Sequence, residues 1–171
     1  MNTEILIGVI GQGYVGKNYA DDFQDRGFTV VRYALEEPYV ENRERIADCD
    51  VVFVGVPTPT TPSGFDSSIV DDALSLVGEG KVAVIKSTIL PGTTKKLQEA
   101  HPDITVLYSP EFLSEATARE DVSAPFASVV GTTAPGQEAQ ATLVLSLLPD
   151  APFKQVMTST EAELFKYAHN T

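Results

Sequence analysis

The stretch EILIGVIGQGYVG, residues 4–16, decides the architecture. From Ile5 to Ile10 it is apolar or glycine at every position, and it then gives way to Gly11, Gly13 and Gly16 in the spacing G-x-G-x-x-G. A run without the polar alternation of a half-exposed strand suits a strand covered on both faces, as in a parallel sheet. The glycines fall where that strand must turn into the helical pattern YVGKNYADDFQDRG, residues 14–27. In this arrangement the first glycine permits a tight turn and the second lets a pyrophosphate approach the backbone. The third lets the helix pack closely on the strand, with its N-terminal amides facing the anion. The pattern alone is a weak signal, but set between strand and helix it predicts a dinucleotide site. Gly11, Gly13, Tyr14, Val15 and Gly16 are its expected phosphate-side residues.

Outward from this stretch the same alternation of strand and crossover recurs. TVVRYA (29–34), DVVFVGV (50–56), KVAVIKS (81–87) and ITVLYS (104–109) read as further buried strands, with FASVVGT (126–132) and FKQVMT (153–158) as additional ones. Helices are expected between them. The first ends at Gly27, PGTTKKLQEAH starts behind Pro91, and GQEAQATLVLSLLPD stops before Pro149. The proline-rich PTPTTPSGFDSS (57–68) reads as a stiff loop at the carboxyl end of a strand. No internal repeat, low-complexity tract or linker interrupts the series. The expected fold is α/β: one doubly wound, mostly parallel sheet in a three-layer α/β/α arrangement, spanning residues 1–171, with a last helix leaving it.

Composition narrows the function. The chain has 171 residues, 24 acidic against 12 basic, and a net charge of −12, so a nucleic-acid backbone would be repelled. The opening apolar run is too short for a membrane span and has no basic leader, so no membrane association is expected. A single Cys49 gives neither a disulfide framework nor a cysteine pair for a metal, and it fits a reducing, cytoplasmic setting. Nothing near Cys49 would stabilise a thiolate, which makes it a small core residue.

Several residues stand out as chemistry. An acidic residue that binds ribose hydroxyls is expected where the second strand ends, yet Ala34 stands there. Glu36 and Glu37 follow closely and either reach back to the ribose or are plain surface charges. Arg32 could attract a 2′-phosphate, but strand alternation leaves its direction open, so NAD is preferred to NADP. Pro57 and Thr58 are candidate contacts on the nicotinamide side of the crevice, and Thr88 ends a strand where such sheets display functional groups, or else caps the next helix. Glu111 and Glu115 in SPEFLSEATA would share a face if that segment is helical. Lys166 and Asn170 in EAELFKYAHNT are also four apart. On a helix they bring a cation and a carboxamide to one face, where the pair either is solvated or holds one oxygen.

Taken together, GQGYVG, VGVPTPTTPSGFD, KSTILPGTT, SPEFLSEATA and TEAELFKYAHN resemble the NAD-binding domain of the UDP-glucose and GDP-mannose dehydrogenase family, over nearly the whole chain. The resemblance implies NAD as cofactor and a nucleotide sugar of the UDP-glucose or GDP-mannose class as substrate. Its C6 alcohol would be oxidised to a carboxylate in two hydride transfers through a cysteine thioester. It also assigns Lys166 and Asn170 to the reacting oxygen, Thr88 to orienting a water, and Glu115 to general-base work, with Glu111 close by. The family's cysteine, and the aspartate that follows it, belong to a C-terminal domain beyond the helix that begins at the end of this chain, and Cys49 is not their counterpart. The expectation is therefore a fragment that binds NAD without turnover, dimeric in the full-length protein through the connecting helix and monomeric as it stands. Where the family usually carries an arginine before a strand, this chain has Ala127. Two competing readings are a relative of the 3-hydroxyacid dehydrogenases, which share the glycine loop and a Lys-x-x-x-Asn helix, and a non-catalytic nucleotide-binding or interaction module.

Overall fold

The computed structural model describes residues 4–170, Asn170 by its backbone alone. In chain order the elements are β1 (Leu6–Ile10), α1 (Tyr14–Asp25), β2 (Thr29–Tyr33), a run of 3-10 turns (Tyr39–Asp48) and β3 (Val51–Val54). A hairpin of β4 (Thr60–Thr61) and β5 (Gly64–Phe65) precedes α2 (Ser68–Leu74), β6 (Val82–Ile85), α3 (Thr93–Ala100) and β7 (Thr105–Tyr108). The chain continues through α4 (Ala118–Ser123), β8 (Ala127–Thr132), α5 (Glu138–Leu147), β9 (Phe153–Thr158) and α6 (Ser159–Asn170). Among the described residues seven strands form one sheet in the order β2-β1-β3-β6-β7-β8-β9. All neighbours are parallel except β7 and β8, which meet antiparallel at Tyr108 and Gly131.

The apolar runs are continuous because each strand feeds two cores. Val51, Phe53, Val84 and Leu107 face Tyr19, Phe23 and Ala141 on the side covered by α1, α4 and α5. Val52, Val54, Ala83 and Val106 face Leu74, Leu97 and Ala162 on the side covered by α2, α3, α6 and the 3-10 turns. This strict alternation across a pleated sheet gives the three layers expected from the sequence. Phe23 anchors the first core, 4.9 Å from the Phe53 ring and edge-on to Phe28 at 6.1 Å. Truncating such a ring costs about 3–5 kcal/mol.

Most of the expected punctuation is present. Gly27 closes α1 with φ +95, α3 begins two residues behind Pro91, and α5 stops at Leu147. Two expectations need correction. The proline-rich segment is not wholly a loop, since it carries the β4–β5 hairpin. SPEFLSEATA is not a helix at its carboxylates: residues 111–114 have no regular structure and Glu115 opens a turn ahead of α4. Pro110 biases Ser109 toward extended backbone, and the Glu111 carboxylate accepts instead from the Leu113 amide two residues on, a local turn that competes with a helix.

The chain leaves β1 for β2 on one side and returns to β3 on the other. That reversal opens a crevice at the carboxyl ends of the strands, where open α/β sheets bind ligands.

Candidate functional site

The glycine turn is built by close approach. Gly11 has φ +94, and a Cβ there would lie 2.2 Å from the Gly55 carbonyl oxygen. A Cβ on Gly16 would lie 1.8 Å from the Gly11 carbonyl oxygen. Gly13 is different: nothing stands within 4 Å of where its Cβ would be, so it opens onto free space. It also caps α1, whose first turn has no side-chain cap and no acidic residue. The first amides of α1 therefore face the crevice unsatisfied by side chains, which is the arrangement an anion needs.

The crevice holds about 910 Å³. Gly11, Gly13, Tyr14, Val15, Glu36, Pro57, Thr58, Thr88 and Glu111 all line it, whereas Gly16 sits behind the turn as a packing glycine. At the end nearest β2, Ala34 lines the wall and Glu36 is exposed beside it, together with Arg43, which the sequence reading passed over. Arg32 turns away from this space. Its guanidinium bonds Asp21 of α1 at 2.6 Å and, at 3.2 Å, the Oε1 of Gln12 in the glycine turn. With those partners it is occupied as a strut tying β2 to α1 and to the glycine turn.

The opposite end is formed by the segments that follow β3, β6 and β7. The Ser87 hydroxyl accepts from the Val56 amide at 3.0 Å and donates to the Val56 carbonyl at 2.7 Å, a local tie. The Thr58 hydroxyl donates to the Thr88 carbonyl at 2.7 Å, joining the same two segments again. Thr88 does not cap α3, whose N-cap is Gly92.

Lys166 does not stand free on its helix face. It is 5% exposed, and its Nζ donates to the Glu111 carboxylate at 3.1 Å and to the Glu111 carbonyl oxygen. Glu111 is buried with it, while Glu115 is exposed, so the two carboxylates do not share a face as the helical reading required. Both still influence Tyr14, whose phenol is pushed up by burial first and then by Glu111 and Glu115. Asn170 ends α6, and its side chain lies outside the described residues.

Two residues of this end escaped the sequence reading. Lys86 follows β6 directly and is 3% exposed; a charged residue closing an all-apolar strand was the available signal. Glu163, fully buried, sits three positions before Lys166, and its carboxylate accepts from the Gly92 amide at 3.0 Å, the Thr94 amide at 3.2 Å and the Thr94 hydroxyl at 3.1 Å. It thus caps α3 from α6, and its i, i+3 spacing to Lys166 was legible.

A parallel sheet whose first strand ends on this glycine turn, beside a crevice at its topological switch point, defines a dinucleotide-binding α/β domain of the Rossmann kind. Comparison with known proteins narrows the class. Residues 37–146 match the UDP-glucose/GDP-mannose dehydrogenase family, NAD binding domain. The chain is 27% identical to the UDP-glucose 6-dehydrogenase AglM of Haloferax volcanii, over 96% of this chain and 50% of that protein. To the UDP-glucose 6-dehydrogenase of Streptococcus pneumoniae it is 30% identical, over 96% of this chain and 52% of the relative. The structure of a UDP-glucose dehydrogenase from Pyrobaculum islandicum superposes with a TM-score of 0.85 at 30% identity, covering 99% of this chain and 50% of the other. The chain belongs to the UDP-glucose/GDP-mannose dehydrogenase family, and NAD is the cofactor of the domain it matches. It spans about half the length of the curated relatives named here.

Proposed function

We propose that the chain is the cofactor-binding half of an NAD-dependent nucleotide-sugar 6-dehydrogenase acting on a substrate of the UDP-glucose or GDP-mannose class. The observation that carries this reading is the buried Lys166–Glu111 pair, with Thr88 in the same crevice as the glycine phosphate turn. The relatives named above are all UDP-glucose dehydrogenases, which favours UDP-glucose.

NAD, when bound, supplies the hydride acceptor. The chain's own residues bind, orient and handle protons. Gly11, Gly13 and the first amides of α1 hold the pyrophosphate, Tyr14 and Val15 flank it, and Glu36 takes the ribose hydroxyls in place of the acid missing at Ala34. Pro57 and Thr58 stiffen the nicotinamide rim. Lys166 offers a cationic donor to the substrate oxygen as negative charge develops there, and Glu111 holds that amine in place until substrate arrives. Asn170, one helical turn on, adds a neutral donor. Thr88 orients a water, and Glu115 acts as its base once substrate or further chain covers the rim. Cys49 cannot serve as nucleophile: it is buried against Gly8 and Ile46, and burial pushes its thiol up to about 11. The thioester step therefore draws its thiol from a domain outside these residues. The lone buried cysteine suits a reducing cytoplasm, and a homodimer of the full-length protein would cover Phe126, Phe153 and Leu164, which are exposed here.

Isothermal titration of the chain with NADH and NADPH is the test. Heat with NADH, without turnover of UDP-glucose by the chain alone, is expected. No heat with either dinucleotide would refute the reading. A nucleotide-sugar panel assayed with the full-length protein then separates UDP-glucose from GDP-mannose.

A further inference from the structure

Lys86 is a buried amine that the proposed chemistry does not use. It lines the crevice and also a smaller cavity of about 190 Å³ on the α1 side of the sheet. Its Nζ donates to the Ser109 hydroxyl at 3.0 Å and the Pro110 carbonyl at 3.4 Å, and lies 4.4 Å from the centroid of the Tyr19 ring. All three partners are neutral. Among the described residues Lys86 makes no ion pair, whereas the neighbouring buried lysine, Lys166, has the Glu111 carboxylate.

The groups that face it can be counted by element. From α1 come Tyr14 and Tyr19, with Asp22 one turn further on and paired to Arg26. The segment after β7 brings Glu111, and α6 brings Lys166. Across the small cavity, α4 brings Asp121, which is bonded to the Ser114 amide and the Thr117 hydroxyl. Lys166 and Glu111 are paired with each other, and Glu115, near Tyr14, is exposed to solvent, so Lys86 is the buried charge of this end that has no partner of opposite sign. It is also the end away from Ala34 and Glu36, where a dinucleotide lying across the glycine turn puts its nicotinamide.

We propose that Lys86 sets the preference of the crevice between the two redox forms of NAD: an ammonium on the crevice wall disfavours the positively charged oxidised ring and tolerates the neutral reduced one. The inference rests on the reading of the crevice as the NAD site. The two forms differ at the ring by one charge and share every phosphate, ribose and adenine contact, so the ratio of their affinities isolates this single interaction. A unit charge at roughly 10 Å in a medium of effective dielectric about 20 changes that ratio roughly tenfold. Burial pushes the Lys86 amine down to about 7, with Glu111 raising it and Lys166 lowering it further, so its charge changes across neutral pH.

The test is the ratio of the dissociation constants of NAD+ and NADH for this chain, measured by titration from about pH 6 to about pH 8.5, a window that brackets the Lys86 value of about 7. The expected ratio falls roughly tenfold as pH rises, with its midpoint near that value. Lys86→Arg should hold the acid ratio at every pH, Lys86→Met should hold the alkaline one, and His169→Gln, which removes the imidazole packed on Phe112, should keep the wild-type slope. Binding of both forms with a flat ratio in the wild-type chain overturns this inference alone and needs no variant. A slope that survives in Lys86→Met overturns it too. Absence of binding by either form overturns the reading of the crevice and this inference with it.

Discussion

Replacing Glu163 by Ala should destabilise the domain by about 3–5 kcal/mol. The carboxylate has no exposure and accepts three hydrogen bonds from the Gly92 amide, the Thr94 amide and the Thr94 hydroxyl. Hydrogen bonds to a charged acceptor contribute about 1.5–3 kcal/mol each, but three that share one carboxylate do not add in full. Deletion also strands three donors at a helix N-terminus that has no other side-chain cap. That combination places the loss in the range seen when one partner of a buried polar set is removed, about 3–5 kcal/mol. Glu163→Gln keeps the volume but turns an amide N–H2 toward donors, and should cost about 2 kcal/mol. Urea unfolding of the three proteins gives the numbers directly. For a chain of this size the alanine variant should melt about 10 °C lower. Amide exchange supplies the local readout, since Gly92 and Thr94 should lose protection. An alanine variant within about 1 kcal/mol of wild type, or with both amides still protected, would show that α6 is not fastened to α3 through this carboxylate.

Other outcomes separate fold from function. Gly13→Ala should leave stability within about 0.5 kcal/mol of wild type, since its Cβ meets nothing, yet weaken NADH binding at least tenfold by filling the approach to the α1 amides. Gly16→Ala, whose Cβ would strike the Gly11 carbonyl, should cost stability as well; equal behaviour of the two variants in thermal melts would contradict the assignment. Glu111→Gln removes the carboxylate from a buried lysine and should destabilise by about 3–5 kcal/mol, read by urea unfolding. Lys86 gives a pH dependence with a definite sign. Its folded value is about 7 against an ordinary 10.5, so the unfolded chain binds more protons between them and stability rises with pH through that window. Below about pH 7 the penalty is complete and constant. Between about pH 7 and pH 9 the wild type should gain about 2 kcal/mol relative to Lys86→Met, and parallel unfolding curves at the two pH values would contradict it.

The sheet and its glycine turn were legible because they depend on local pattern. Unbroken apolar runs such as DVVFVGV mark strands with two covered faces, and Gly11 and Gly16 are forced by backbone contacts that leave no room for a side chain. What stayed hidden depends on direction or on distant partners. Nothing in FASVVGT states that β8 runs against β7, because the alternation of a covered strand reads the same either way. Arg32 was ambiguous for the same reason until Asp21 and Gln12 settled its side. Glu111 and Glu115 have helical spacing by coincidence, in a segment without regular structure that turns at Glu115. The site pair most visible from sequence, Lys166 with Asn170, concealed the more informative one, because Glu111 lies 55 residues away along the chain.

The double tie between the segments after β3 and β6 has a mechanical consequence. With Ser87 gripping both polar groups of Val56 and Thr58 gripping the Thr88 carbonyl, these two neighbouring segments at one end of the crevice are stitched into one body. They rise or fall together, so this end of the rim cannot part between them to admit a bulkier guest without tearing both stitches. Selection among ligands at this edge then falls to a fixed outline rather than to accommodation, and any opening motion has to hinge elsewhere in the molecule.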